Sequence, residues 1–290
     1  LGSGKTSAVG VILPSAGDGV HFVDSIYSSL LGGVSVELES EGYHLLATIQ
    51  TRSDPVRELT LYENFIRGSW VDALLIVRTR VNDARIDLAR KAHMPFITYG
   101  RTESPHPYAW VDTDNEKAFY LTTLRQIEFG HRRIALLNGP LEYFFARLRE
   151  QGYVRALGEK GITPDPLLML NGDLTATSGY ACCRSLLLNA TPPTALICAT
   201  DSMAIGAIAA CRERGLVVGR DISVVGYGNS SASAFCDPPL TTVDHKAFEN
   251  GRHIGQSVMR LLRNEAKPTD IHYLEPVVLV ARKSDGPLPS

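Results

Sequence analysis

The chain has 290 residues, 44% of them hydrophobic and 21% charged, with 25 Gly and 16 Pro scattered along it. These values exclude a small cross-linked scaffold and a long disordered chain, and they allow one large domain or two lobes with separate cores. The 29 basic and 31 acidic residues leave a formal charge of -2, so this stretch shows no basic footprint for nucleic acid.

Short apolar runs alternate with amphipathic stretches of helical length, the pattern of βαβ units on a parallel sheet. A strand is expected over 8–13. The helix after it carries Ile26, Leu30, Val34 and Leu38 near one face and stops at Gly42. Strands over 43–49, 73–77 and 96–99 then alternate with helices over 56–67 and 84–92. A proline-containing loop over 102–108 leads to a short extended piece, 109–112. The alternation resumes with helices over 116–129, 146–160, 178–188, 202–214 and 248–263, and strands over 134–137, 195–199 and 222–226. This predicts an α/β chain of two doubly wound lobes, with ligand-contacting residues just past the carboxyl ends of the strands.

The five cysteines, Cys182, Cys183, Cys198, Cys211 and Cys236, are odd in number and form no C-x-x-C pair. They fit a reducing, cytoplasmic setting without a metal site. The amino-terminal LGSGKT has no apolar core, and no run approaches membrane-spanning length, so neither export nor membrane insertion is expected. The start at Leu1 reads as a chain with something removed upstream. Gly4-Lys5-Thr6 imitates the end of a P-loop but precedes the first strand and lacks the upstream glycine. Gly226-Tyr-Gly-Asn-Ser places Gly228 where a nucleophile elbow needs serine. With no metal cluster, dinucleotide fingerprint or nucleophile-base pair, no enzyme is expected, and no cofactor.

Two arginines, Arg147 and Arg149, open a helix, where the helix dipole opposes cations. Either a ligand or a neighbouring carboxylate, Glu142 or Glu150, explains them, and a guanidinium suits two-point recognition of vicinal hydroxyls or carboxylates. Asp201, after the strand over 195–199, is placed to cap the helix that follows.

Ten segments in order resemble the effector-binding core of lactose-repressor (LacI/GalR) type bacterial transcription regulators. They are Val9-Gly-Val-Ile-Leu-Pro, Val71-Asp-Ala-Leu-Leu-Ile, Met94-Pro-Phe-Ile-Thr-Tyr-Gly-Arg, Val111-Asp-Thr-Asp-Asn and Phe129-Gly-His-Arg-Arg-Ile-Ala. Arg149-Glu-Gln-Gly-Tyr, Thr200-Asp-Ser-Met-Ala-Ile-Gly-Ala, Ile222-Ser-Val-Val-Gly-Tyr, Pro238-Pro-Leu-Thr-Thr-Val and Leu279-Val-Ala-Arg-Lys-Ser follow.

The resemblance implies a type I periplasmic-binding-protein-like fold: two lobes joined by three crossovers, an effector in the interlobe cleft, and a homodimer. The amino-terminal lobe is then 7–111 plus 244–274, and the carboxyl-terminal lobe 112–243 plus 275–284. The family's helix-turn-helix head, which carries operator DNA binding, is expected upstream of this sequence. Carried over residue by residue, Arg149 is the contact to effector hydroxyls or a carboxylate. Asp201, with Thr200 before it, is a polar strand-end contact. Tyr143 and Phe145 lie in an effector loop, His245 is a further polar position, and Asp18, His21 and Phe22 follow the first strand. Gly228 and Asn229 replace an aspartate pair common in the family, so that one acidic sugar contact is either lost or moved to Asn229, and Leu174 stands where some members have tryptophan. The effector implied is a sugar, such as a glucoside, mono- or oligosaccharide. The alternative is the sugar-binding protein of an importer, against which the free cysteines argue.

Overall fold

The structure, a computed structural model, describes residues 5–14, 25–50 and 54–288. They form two compact units, one holding the chain up to Thr113 together with Lys246–Glu275, the other Asp114–His245 and the residues from Pro276 on. The chain therefore passes between the units three times, each time one or two residues beyond the boundary expected from the sequence.

In chain order the first unit contains β1 (Ala8–Leu13), α1 (Ser25–Glu39), β2 (His44–Ile49), α2 (Pro55–Arg67), β3 (Ala73–Val77), α3 (Ala84–Lys91), β4 (Phe96–Tyr99) and β5 (Ala109–Thr113). The second unit follows with α4 (Asn115–Glu128), β6 (Ile134–Asn138), α5 (Phe144–Glu159), β7 (Met169–Asn171), α6 (Ala176–Leu186), β8 (Ala195–Cys198), α7 (Asp201–Glu213), β9 (Ser223–Tyr227), α8 (Ser231–Phe235) and β10 (Thr241–Asp244). Helix α9 (Ala247–Leu262) and β11 (His272–Glu275) return to the first unit, and β12 (Val278–Val280) closes the second. The sheet orders are β11-β5-β4-β3-β1-β2 and β12-β10-β9-β8-β6-β7. All strand pairs are parallel except β10 with β12.

Parallel strands covered on both faces need continuous apolar runs, and β3, Ala-Leu-Leu-Ile-Val, is buried at every position. Its alternate residues face opposite ways. Leu75 and Val77 join Val9 and Val11 against Leu30, Val34 and Leu38 of α1 and Ile254 and Val258 of α9. Leu74 and Ile76 pack with Tyr62 and Phe65 of α2 and Ile86 of α3. The second unit repeats the scheme, with Ile134, Leu136 and Ile197 against α4 and α5, and Ala135, Leu137 and Leu196 against α6 and α7. Close helix approach requires glycine at the crossings: a Cβ on Gly152 of α5 would lie 2.0 Å from the Glu116 carbonyl oxygen.

Four strands escape the sequence pattern. Strands β7, β11 and β12 are short and lie at sheet edges. Strand β10 looks polar because it contains Thr241 and Thr242, both fully buried. Their hydroxyls are satisfied by distant partners: Thr241 Oγ1 donates to Asp285 Oδ1 at 2.6 Å and Thr242 Oγ1 to Asp201 Oδ1 at 2.5 Å. Among the described residues no helix is long and apolar enough to cross a membrane.

Candidate functional site

The second unit gathers its chemistry at the carboxyl ends of β6, β8, β9 and β10, where open α/β sheets bind ligands. Helix α5 begins soon after β6 and carries Arg149, whose residue is only 6% exposed. Its Nε donates to Asn115 Oδ1 and its Nη1 to the Ala199 carbonyl oxygen, both at 2.8 Å. These bonds tie α5 to the first residue of α4 and to the residue just past β8. Three rings surround the guanidinium carbon: Tyr227 with its centroid 4.0 Å away, Phe145 at 4.6 Å and Phe119 at 5.3 Å. Ring faces and fixed acceptors hold a charge that is costly to bury. Arg147, the other cation of the pair, is exposed and donates to the nearby Leu141 carbonyl oxygen at 3.0 Å.

Tyr143 precedes the helix without capping it through its side chain; its ring stacks on Phe145, centroids 5.5 Å apart and 7° from parallel. His245, buried, stacks on Tyr227 at 5.2 Å and 5°. Burial, and after it the charge of Arg149, push the imidazole pKa down to about 4. The ring is therefore neutral at physiological pH. Because its folded pKa lies below the unfolded value of 6.5, the unfolded chain binds the extra proton between those values. Stability is full above that window and falls by about 3 kcal/mol on acidification to pH 4. His245→Phe, which keeps a stacking ring, is expected to remove that part of the acid sensitivity, as read from urea midpoints at pH 7.5 and 4.5.

Asp201 does not cap α7, contrary to expectation. Thr200 does: its backbone is extended (φ -143, ψ 158) and its Oγ1 accepts from the Met203 amide at 3.1 Å. Asp201 is already helical, and its carboxylate braces the adjoining loop. Oδ2 accepts from the Ser230 amide at 2.7 Å, and Oδ1 from Thr242 as above. Burial raises its pKa, opposed by these hydrogen bonds. Gly226 is needed beside it, since a Cβ there would lie 2.5 Å from Asp201 Oδ1.

Asn229 adopts left-handed backbone (φ 49) and joins the same brace. Its Nδ2 donates to Asp244 Oδ2 at 3.1 Å, and its Oδ1 accepts from Arg282 Nη2 at 2.6 Å. Leu174 is buried, and its carbonyl oxygen accepts from Thr200 Oγ1 at 3.1 Å.

The structure thus brings Tyr143, Phe145, Arg149 and His245 into one stacked cluster, with Asp201 and Asn229 in a supporting net. Asp18, His21 and Phe22 lie outside the described residues. Three cluster members received no role from the sequence: Tyr227, Phe119 and Asn115. Tyr227 closes Ile222-Ser-Val-Val-Gly-Tyr and Asn115 closes Val111-Asp-Thr-Asp-Asn, so their strand-end and helix-start positions were the available signal. His131, in another quoted segment, is a structural joint between Thr194, Ser223 and the Gly286 carbonyl.

Two predominantly parallel sheets, one in each unit and each alternating with helices along the chain, define a type I periplasmic-binding-protein-like domain. Residues 125–284 match the family model described as a periplasmic binding protein-like domain. The HTH-type transcriptional regulator AglR of Rhizobium meliloti (strain 1021) is 31% identical over 296 residues, covering 100% of this chain and 81% of that protein. A solved complex of the transcriptional regulator CelR with cellobiose superposes with a TM-score of 0.89 at 28% identity, over 97% of this chain and 85% of that one. The lac repressor dimer bound to operator and the anti-inducer ONPF gives 0.84 at 28% identity, over 96% and 94%. The chain belongs to the LacI/GalR family of transcription regulators, as an effector-binding core rather than an enzyme.

Proposed function

We propose that this chain senses a sugar through Tyr143, Phe145, Arg149 and His245, with Asp201 and Asn229 supporting them, and that occupancy controls operator binding by a homodimer of the intact regulator. The observation that carries the reading is the guanidinium of Arg149, fixed by Asn115 and Ala199 and flanked by rings at the strand ends. A planar donor fork suits vicinal hydroxyls, and aromatic faces suit the C–H face of a pyranose. The likeness to the CelR–cellobiose complex supports a sugar, and the likeness to the operator-bound lac repressor dimer supports the DNA partner. A sugar changes operator affinity only through different affinities for the two states of the regulator.

A thermal-shift panel of mono- and disaccharides, cellobiose among them, tests this. A sugar at one hundred times its dissociation constant adds about 2.7 kcal/mol of stability and raises Tm measurably. The same sugar is expected to change the affinity of the intact regulator for a palindromic operator fragment. A panel in which no sugar moves Tm overturns the reading.

A further inference from the structure

Helices α6 and α7 of the second unit pack against the face of β8 that carries Leu196 and Cys198, and glycines set the spacing between them. A Cβ on Gly179 would lie 2.1 Å from the Met203 carbonyl oxygen, and one on Gly206 would lie 1.9 Å from that of Ala176. The two backbones thus come closer than any larger residue permits at these positions. That approach brings two thiols together. Cys183 of α6 and Cys211 of α7 are both fully buried, and their Sγ atoms are hydrogen-bonded 3.6 Å apart. Cys198 of β8 is buried in the same apolar cluster, and Cys182, half-buried, packs against it from α6. The starts of the two helices are already joined by the bond from Thr200, the cap of α7, to the carbonyl of Leu174, two residues before α6. The thiol pair faces across their later turns.

Cysteine serves as a small apolar side chain in many cores, and a single thiol here would need no other explanation. Two thiols facing each other from separate helices offer chemistry that alanine or valine in the same space would not. The sulfurs of a disulfide are about 2.05 Å apart, so the contact must shorten by about 1.5 Å, which is within the reach of side-chain rotation. We infer that Cys183 and Cys211 are a modification site, closing reversibly to a disulfide that ties α6 to α7 under peroxide-class oxidants. Hydrogen peroxide takes one thiol to a sulfenic acid and releases water; the second thiol attacks that sulfur, the S–S bond forms and a second water leaves. The two thiols give up two electrons and two protons, and the peroxide ends as two waters. A small-molecule thiol reopens the bond by exchange. The hydrogen bond with Cys211 and, after it, burial raise the Cys183 thiol pKa. Because the thiolate is the reactive form, the pair reacts slowly, as the helices part locally, and registers sustained oxidant rather than a brief pulse. Bridging residues 28 apart restricts the unfolded chain, so the oxidised second unit is the more stable form.

The test incubates the chain with hydrogen peroxide, removes the excess with catalase, and follows thiol count in denaturant, peptide mass map and Tm. The count is expected to fall from five to three, with one Cys183–Cys211 link in the map. Tm should rise by at least about 4 °C, and dithiothreitol should restore all three readouts. Cys183→Ala, which keeps a small apolar side chain, should lose both the link and the rise. The double variant Cys182→Ala with Cys236→Ala removes the two half-buried thiols, leaves the facing pair and should keep both responses. A map without the Cys183–Cys211 link, whatever the thiol count, overturns the inference. So does a link that leaves Tm unchanged, a Tm rise that survives in Cys183→Ala, or a response lost in the double variant.

Discussion

Replacing Arg149 with alanine is expected to remove most of the sugar-induced rise in Tm. The side chain links α5 to Asn115 and to the Ala199 carbonyl, and its guanidinium fills the space between Tyr227, Phe145 and Phe119. Removing one member of a buried, hydrogen-bonded charged contact costs about 2–5 kcal/mol, which is at least about thirty-fold in affinity. Some unliganded stability should be lost as well, because Asn115 Oδ1 loses its donor and the rings lose their filler. Arg149→Lys separates the two effects. It keeps the charge between the rings but not the planar fork, so stability should recover more than affinity. Titration calorimetry with the sugar found in the panel, together with urea denaturation, measures both.

Arg85→Leu should strongly destabilise the first unit. The substitution strips the Asp83 and Glu58 carboxylates of their shared buried partner and frees the carbonyls of Val77 and Arg78. Breaking a buried ion pair from one side costs about 3–5 kcal/mol. The effect depends on pH in a defined direction. Burial by itself pushes the Asp83 carboxyl up, but the hydrogen bonds and charge of Arg85, with the amides of Arg80 and Arg85, together hold it below its ordinary 3.8. A depressed carboxylate contributes stability above its unfolded pKa and loses it as the pH falls through the folded value. The deficit of Arg85→Leu should therefore be full at neutral pH and narrow below about pH 3.8. Urea unfolding at pH 7 and in the acid range gives the two values.

Much of the architecture was legible because parallel sheets leave a plain signature. Strands β1 and β3 are uninterrupted apolar runs, and the four-residue recurrence of Leu30, Val34 and Leu38 marks the face of α1 that packs inward. Strand β10 was not legible, because the partners that make its threonines acceptable in a core, Asp201 and Asp285, are about forty residues away. The cap of α7 was misplaced for a local reason. Thr200 and Asp201 are both good cap formers in adjacent positions, and only the backbone angles separate the capping residue from the first helical one.

The site divides along the same line. Arg149 stood out because a cation near the start of a helix opposes the dipole, an anomaly visible in the letters alone. Tyr227 and Phe119 did not, since an aromatic residue in a strand or helix reads as core until tertiary structure sets it against a guanidinium. Asp201 shows the converse. The sequence placed it at a strand end as a ligand contact, and the structure adds what the letters do not carry: its two oxygens accept from Ser230 and Thr242 and brace the loop that follows β9.

The most direct test of the central claim is a crystal structure of this chain with the panel sugar that raises Tm most. The account predicts sugar density within hydrogen-bond reach of the Arg149 guanidinium, with a ring face of the sugar against Phe145 or Tyr143. Sugar density elsewhere on the protein, with Arg149 still enclosed by Asn115, Ala199 and its three rings, would contradict it.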